Sequence, residues 1–198
     1  MSEQPSRYVR RLPIGERLPV DEVLGSDLFP FEGEIRAKPL EAPRLPEPPR
    51  RGEPGGGECA ACTGDAETAI WEDERWWVLM DREPHGLPAV AVLMSRPHHD
   101  LEDLPPEMVA ELGPMTQRLV RAIGRLEGIG RVHVNRWGDG GSHFHVWFIA
   151  RPRGMWQMRG AILPVWDDML PRVPAEEWAA SRRTIASAQA EEGGRALV

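Results

Sequence analysis

The run His143-Phe144-His145-Val146-Trp147-Phe148 constrains this chain more than any other stretch. In an extended strand successive side chains face opposite ways, so Phe144, Val146 and Phe148 share one face while His143, His145 and Trp147 share the other. The first set is core-forming. The second is not, because burying neutral imidazoles costs free energy unless they find partners. A lone histidine is more often a satisfied core residue; two at alternate positions, directly after the Gly-rich run Gly138 to Gly141, favour a ligand-binding or catalytic pair. Arg131 to Asn135 repeats the pattern, with Val132 and Val134 on one face and His133 and Asn135 on the other, where they can line the same cleft.

Other short β-type runs precede these two. Thr68 to Glu72, Trp76 to Asp81 and Ala89 to Met94 are separated by charged or Pro/Gly turns and read as an antiparallel meander. After Pro105-Pro106, residues Met108, Leu112, Met115, Leu119, Ile123 and Leu126 recur at helical spacing. Gly113-Pro114 is expected to bend that helix, and Pro174 to about Ala190 reads as a second one. The fold class is α+β: one antiparallel sheet with packed helices. Residues 1–57 differ. They hold half of the twenty prolines and end in Pro54-Gly55-Gly56-Gly57, a composition that builds no core of its own. We read 1–57 as an arm, with Leu28, Phe29, Phe31 and Ile35 available to dock it, and 58–198 as the domain. Of the eight tryptophans, most are expected in the core or in pocket walls.

Charge narrows the partners. At −7, with acidic and basic residues mixed throughout, the chain lacks the footprint of a protein that grips long nucleic acid or an anionic membrane. No apolar run reaches the roughly 20 residues that span a bilayer, and the polar start MSEQPSRYVRR lacks a signal-peptide core, so a cytoplasmic location is expected. Both cysteines fall in one CxxC, Cys59 and Cys62. In a reducing compartment that spacing points to metal or redox chemistry, and the missing βαβ context favours metal. Two thiolates need two further ligands, and four of the six histidines come as the doublets His98-His99 and His143/His145.

At this point the residues resemble a known family. Val134-Asn135-Arg136-Trp137-Gly138-Asp139-Gly140-Gly141-Ser142-His143-Phe144-His145-Val146-Trp147 resembles the asparagine, glycine-rich loop and His-x-His signature of histidine triad proteins. Ala91 to His98 is similar to the family's strand ending in a basic residue and a histidine. The order CxxC, histidine, His-x-His is similar to the zinc-bearing branch that includes galactose-1-phosphate uridylyltransferase. The resemblance covers about residues 58 to 150. It implies zinc held by Cys59, Cys62, His98 and His143, with His99 as the substitute for His98, and His145 as the nucleophile toward a nucleotide α-phosphate. It matches Asp81 to the acidic position that meets the ribose, although a turn residue before Pro84 is the alternative. Asn135 matches a residue of the phosphate pocket; Arg136 and Ser142, in the loop before the nucleophile, are candidate phosphate donors or plain solvated loop residues. A homodimer is compatible with it, since many relatives pair.

Two departures stand out. The third triad position, His or Gln in relatives, is Trp147, whose indole has one N–H donor and accepts nothing. The loop between Asn135 and His143 is also short. The resemblance therefore implies a nucleotide hydrolase or nucleotidyltransferase acting through a nucleotidyl-histidine, with a small-molecule nucleotide as substrate; the alternative is a catalytically degenerate nucleotide-binding or assembly protein. A cupin-like metalloenzyme would need a carboxylate soon after His-x-His, and Val146 to Arg153 has none. A zinc module for nucleic acid is disfavoured by the acidic charge and the single CxxC.

Overall fold

The computed structural model describes residues 41–64 and 68–198, together with Gly15, Phe31 and Pro39. The chain divides into two compact units, Met1–Pro49 and Arg50–Val198. In the first, the described residues from 41 to 49 are exposed and form no helix or strand. Phe31 is exposed as well. Leu28, Phe29 and Ile35 lie outside the described residues.

The second unit is built on a six-stranded sheet. Its strands are β1 (Ala69–Glu72), β2 (Trp76–Leu79), β3 (Val90–Ser95), β4 (Ile129–Asn135), β5 (His145–Pro152) and β6 (Arg195–Ala196), in the spatial order β4-β5-β3-β2-β1-β6. Every pairing is antiparallel. The helices are α1 (Ala60–Thr63), α2 (Pro106–Ile123), α3 (Leu163–Met169) and α4 (Ala175–Ala190). This is the α+β class expected from the periodicities.

The expected alternation in β5 is present. Phe144, Val146 and Phe148 are buried in the main core with Leu119 and Ile123 of α2 and Ile185 of α4, whereas His145 and Trp147 are only half-buried. Helix α2 continues through Gly113-Pro114, although Pro114 has no N–H to give the carbonyl four residues back. Trp71, Trp76 and Trp178 are fully buried, and each indole N–H finds an acceptor: Gly193 O at 3.0 Å, Glu111 Oε2 at 3.0 Å and Asp81 O at 2.7 Å. Trp156 is the opposite case, 66% exposed with Arg159 over its ring.

Strand β5 begins at His145 rather than His143, because the backbone at Phe144 turns to pair with the loop after β3: its N–H donates to His99 O at 2.6 Å. Residues 153–173, which carry no helical or strand period, fold into two 3₁₀ turns and the short helix α3. That helix matters below.

Candidate metal centre and adjoining pocket

Three separate pieces of chain supply the metal donors. Cys59 caps the single turn of α1 and Cys62 lies within it, its N–H donating to Cys59 O at 3.0 Å. Ala61 anchors that turn in a small cluster with Ala69, Leu79 and Met94 of the sheet. His98 follows β3, and His143 precedes β5. Because Met94 pairs opposite His145, the end of one strand lies beside the start of the other, and the two rings stand 4.9 Å apart.

One donor atom from each of Cys59, Cys62, His98 and His143 lies within 4.8 Å of all the others. Cys59 Sγ is 3.4 Å from His143 Nδ1; Cys62 Sγ is 3.3 Å from His98 Nδ1 and 3.6 Å from His143 Nδ1. Bonds of about 2.3 Å to sulfur and about 2.0 Å to nitrogen, set tetrahedrally, require S···N separations of roughly 3.5 Å. The group fits one ion. Burial, together with the adjacent Cys59 sulfur, pushes the Cys62 thiol up, so a cation is what would let both sulfurs ionise.

The imidazole tautomers suit the same role. A carbonyl only accepts, so His143 Nε2, 2.7 Å from the Ser95 carbonyl oxygen, carries the ring proton and leaves Nδ1 to the metal. Burial above all pushes His143 down, toward the neutral form a ligand needs. Ser142 Oγ donates to Arg51 O at 3.2 Å and stands 3.3 Å from His98 Nε2, which turns His98 Nδ1 inward. His98, not His99, joins the cluster.

His145 is arranged differently. Its Nδ1–H donates to the His143 carbonyl at 2.8 Å, so in the neutral ring Nε2 keeps its lone pair. The side chain lines a cavity of about 690 Å³, whose walls include Val90, Trp137, Trp147, Ile149 and Pro164, with Arg51, His85, Asp167 and Asp168 among the polar groups. A 230 Å³ recess shares Val90, Met94, His145 and Trp147 with that cavity and reaches Asp81. The Arg51 guanidinium and the Asp168 carboxylate make no ion pair or hydrogen bond among the described residues, so each is available to a ligand.

The other expected site residues divide. Asp81 and Trp147 lie with His145, Trp147 edge-on to it at 6.4 Å. Asn135 pairs with Trp147 and His133 with Ile149 across β4 and β5; both are on the cleft's side of the sheet, but neither is among the residues lining the cavity. Arg136 is turned away to Asp100, which also binds Arg50. Asp100 is buried, and although burial alone would raise its pKa, the Leu101 amide and the two guanidiniums hold it below the usual carboxylate range. Ser142 is buried and committed to His98 and Arg51. Arg136 and Ser142 thus brace the loop and the metal centre.

Arg51, Trp137, His85, Asp167 and Asp168 were not foreseen. Trp137 lay within the quoted motif. Asp167 and Asp168 fall in a stretch with no periodicity, and His85 belongs to neither histidine doublet, so only the fold reveals them.

No family model matches the chain, and no curated protein matches it. Solved structures do. A zinc-bound histidine triad family protein from Mycobacterium smegmatis is 25% identical, with 68% of this chain and 94% of that one covered at a TM-score of 0.44. A histidine triad protein from Marinobacter aquaeolei is 21% identical, covering 64% and 93% at 0.48. Both of these are histidine triad proteins. A uridylyltransferase is also similar, at 16% identity and a TM-score of 0.46, covering 65% of this chain and 45% of that one.

Proposed function

We propose that the chain binds a nucleoside phosphate in the 690 Å³ cavity and cleaves or transfers it through a nucleotidyl intermediate on His145, beside a structural zinc. The observation that carries this reading is His145 itself. It has one nitrogen fixed by a backbone carbonyl and the other left with its lone pair in a cavity also lined by Arg51, whose guanidinium makes no ion pair among the described residues. The histidine triad signature in the sequence supplies the substrate class.

In the proposed step, neutral His145 attacks the α-phosphorus with Nε2. The bond from Nε2 to phosphorus forms as the bond to the leaving atom breaks, oxygen in a polyphosphate or nucleotide sugar and nitrogen in a phosphoramidate, and the electron pair departs with that atom. The Nδ1–H stays on the His143 carbonyl, which offsets the positive charge that develops on the ring. Arg51 faces the phosphate charge. Water or a second acceptor then attacks phosphorus, releases the nucleotide, and returns the lone pair to Nε2; the attacking group's proton passes to solvent.

Zinc held by Cys59, Cys62, His98 and His143 would tie α1, the end of β3 and the start of β5 together, and its four protein ligands leave no open position for water. The Trp147 indole can donate one hydrogen bond but transfers no proton and accepts none, so substrates whose leaving group needs no protonation are favoured.

The test is a panel of nucleotide phosphoramidates, dinucleoside polyphosphates and nucleotide sugars, with binding read by calorimetry and products by mass spectrometry. Turnover of one class, lost in His145→Ala, supports the reading. Absence of any nucleotide binding overturns it.

A further inference from the structure

The cavity wall holds a second group of ionisable side chains, away from the metal centre. His85, in the loop between β2 and β3, stands between two carboxylates. Its Nδ1 is 2.7 Å from Asp167 Oδ2, and its Nε2 is 3.1 Å from Asp81 Oδ2. Ionised carboxylates only accept, so both ring nitrogens donate and His85 is an imidazolium. Hydrogen bonds to Asp167 and then Asp81 raise its pKa to about 9, against the opposing effect of burial.

The two carboxylates are not equivalent. Asp167 is fixed: its Oδ1 accepts the Leu87 N–H at 2.9 Å, and Gly86 runs so close beneath α3 that a Cβ there would stand 2.5 Å from the Asp167 carbonyl oxygen. The His85 ring is itself stacked on Trp178 at 5.3 Å. Asp81, by contrast, has a side chain 62% exposed, and the one hydrogen bond of its carboxylate among the described residues is to His85. Asp81 also lines the recess beside His145 and Trp147. Left alone, an exposed aspartate samples several rotamers and loses that freedom when a ligand binds.

We propose that His85 is a positioning residue: braced by Asp167 and Trp178, it holds the Asp81 carboxylate in the geometry that receives the sugar hydroxyls of the bound nucleoside phosphate. This rests on the nucleoside phosphate reading above. One Asp81 oxygen is held by His85, leaving the other to accept from a sugar hydroxyl. The charged groups facing this unit are Asp167 and Asp168 of α3 and Arg182 of α4, the last of which acts on Asp81.

The experiment compares ribonucleoside 5′-monophosphates with their 2′,3′-dideoxy counterparts by calorimetry, on the full zinc-loaded chain. Wild type is expected to prefer the ribose forms by roughly tenfold, the scale of one hydrogen bond to a charged group. His85→Phe keeps a ring to stack on Trp178 and removes both donors; it should bring the ratio near unity while leaving dideoxy affinity within about twofold. Asp81→Asn should do the same, and the double variant should lose no more than either single one. A variant that weakens ribose and dideoxy ligands equally, or keeps the full preference, overturns the proposal.

If the His85 variants do not fold, wild type alone decides. Its ribose preference should fade as pH rises through about 9, and a flat preference across that range overturns the proposal. A wild type that binds both sugar forms equally defeats this inference alone. One that binds no nucleotide defeats the functional reading and this inference with it.

Discussion

His143 and His145 sit two residues apart and do different work because their second nitrogens are tied differently. His143 offers Nδ1 to the thiol cluster, whereas His145 spends Nδ1 on a carbonyl and presents Nε2 to the cavity. His145→Ala should therefore abolish turnover while leaving metal content and melting temperature nearly unchanged. A Cys59→Ala, Cys62→Ala double variant should lose the metal and melt lower, because binding energy at such a site is also folding energy. Elemental analysis beside thermal melts separates the two cases. Trp147→Gln restores an acceptor next to His145 and is expected to raise nucleotide turnover with the fold kept, read as kcat on the best substrate of the panel. The four candidate zinc ligands were legible only through the family resemblance; residue type and spacing gave the two thiols and left the choice within the histidine doublets open. Arg51 and His85 were not legible, because Arg51 is placed by Ser142 and His85 is braced by Asp167, both far away in the chain.

At the level of elements, strands with a strict two-residue alternation were readable and α3 was not. Strand β5 declares itself because its buried face is uniformly apolar; a representative test is Phe148→Ala, which should cost about 3–5 kcal/mol in urea unfolding. Residues 153–173 have no such period, and their place is fixed by tertiary contacts such as buried Leu163 and Asp167. The segment Arg50 to Gly57 makes the same point. Its composition reads as a linker, yet Arg51 O accepts the Ser142 N–H at 2.9 Å, and Gly52 has φ +91° with His98 Cε1 and Ser142 Oγ both 2.7 Å from where a Cβ would stand. Gly52→Ala is expected to displace His98 and lower metal affinity, which competition with a chromophoric chelator would measure.

Across the whole molecule, stability should vary with pH in a direction set by the Asp81-His85-Asp167 unit. His85 has its folded pKa raised from 6.5 to about 9, so its stabilisation is complete below about 6.5 and is lost as pH rises through about 9. Asp81 and Asp167 are held below their ordinary 3.8, Asp81 chiefly by its hydrogen bond to His85, and Asp167 by His85 and the Leu87 and Gly86 amides despite its burial. Their contribution is present above that value and lost as pH falls below it. Melting temperature with zinc present should thus decline on the alkaline side, and His85→Phe should flatten that limb.

No helix among the described residues is long and apolar enough to cross a membrane, and every candidate metal and cavity residue lies in the unit Arg50–Val198. The central claim is that His145 carries a nucleotide covalently beside a zinc that does not take part in the step. Rapid-quench intact-mass spectrometry of the zinc-loaded protein with its best substrate tests it most directly. The account predicts a mass gain of one nucleoside monophosphate, mapped to His145 and absent from a metal-replete His145→Ala protein. An identical adduct in His145→Ala, or turnover of that substrate by the variant at the wild-type rate, would contradict it.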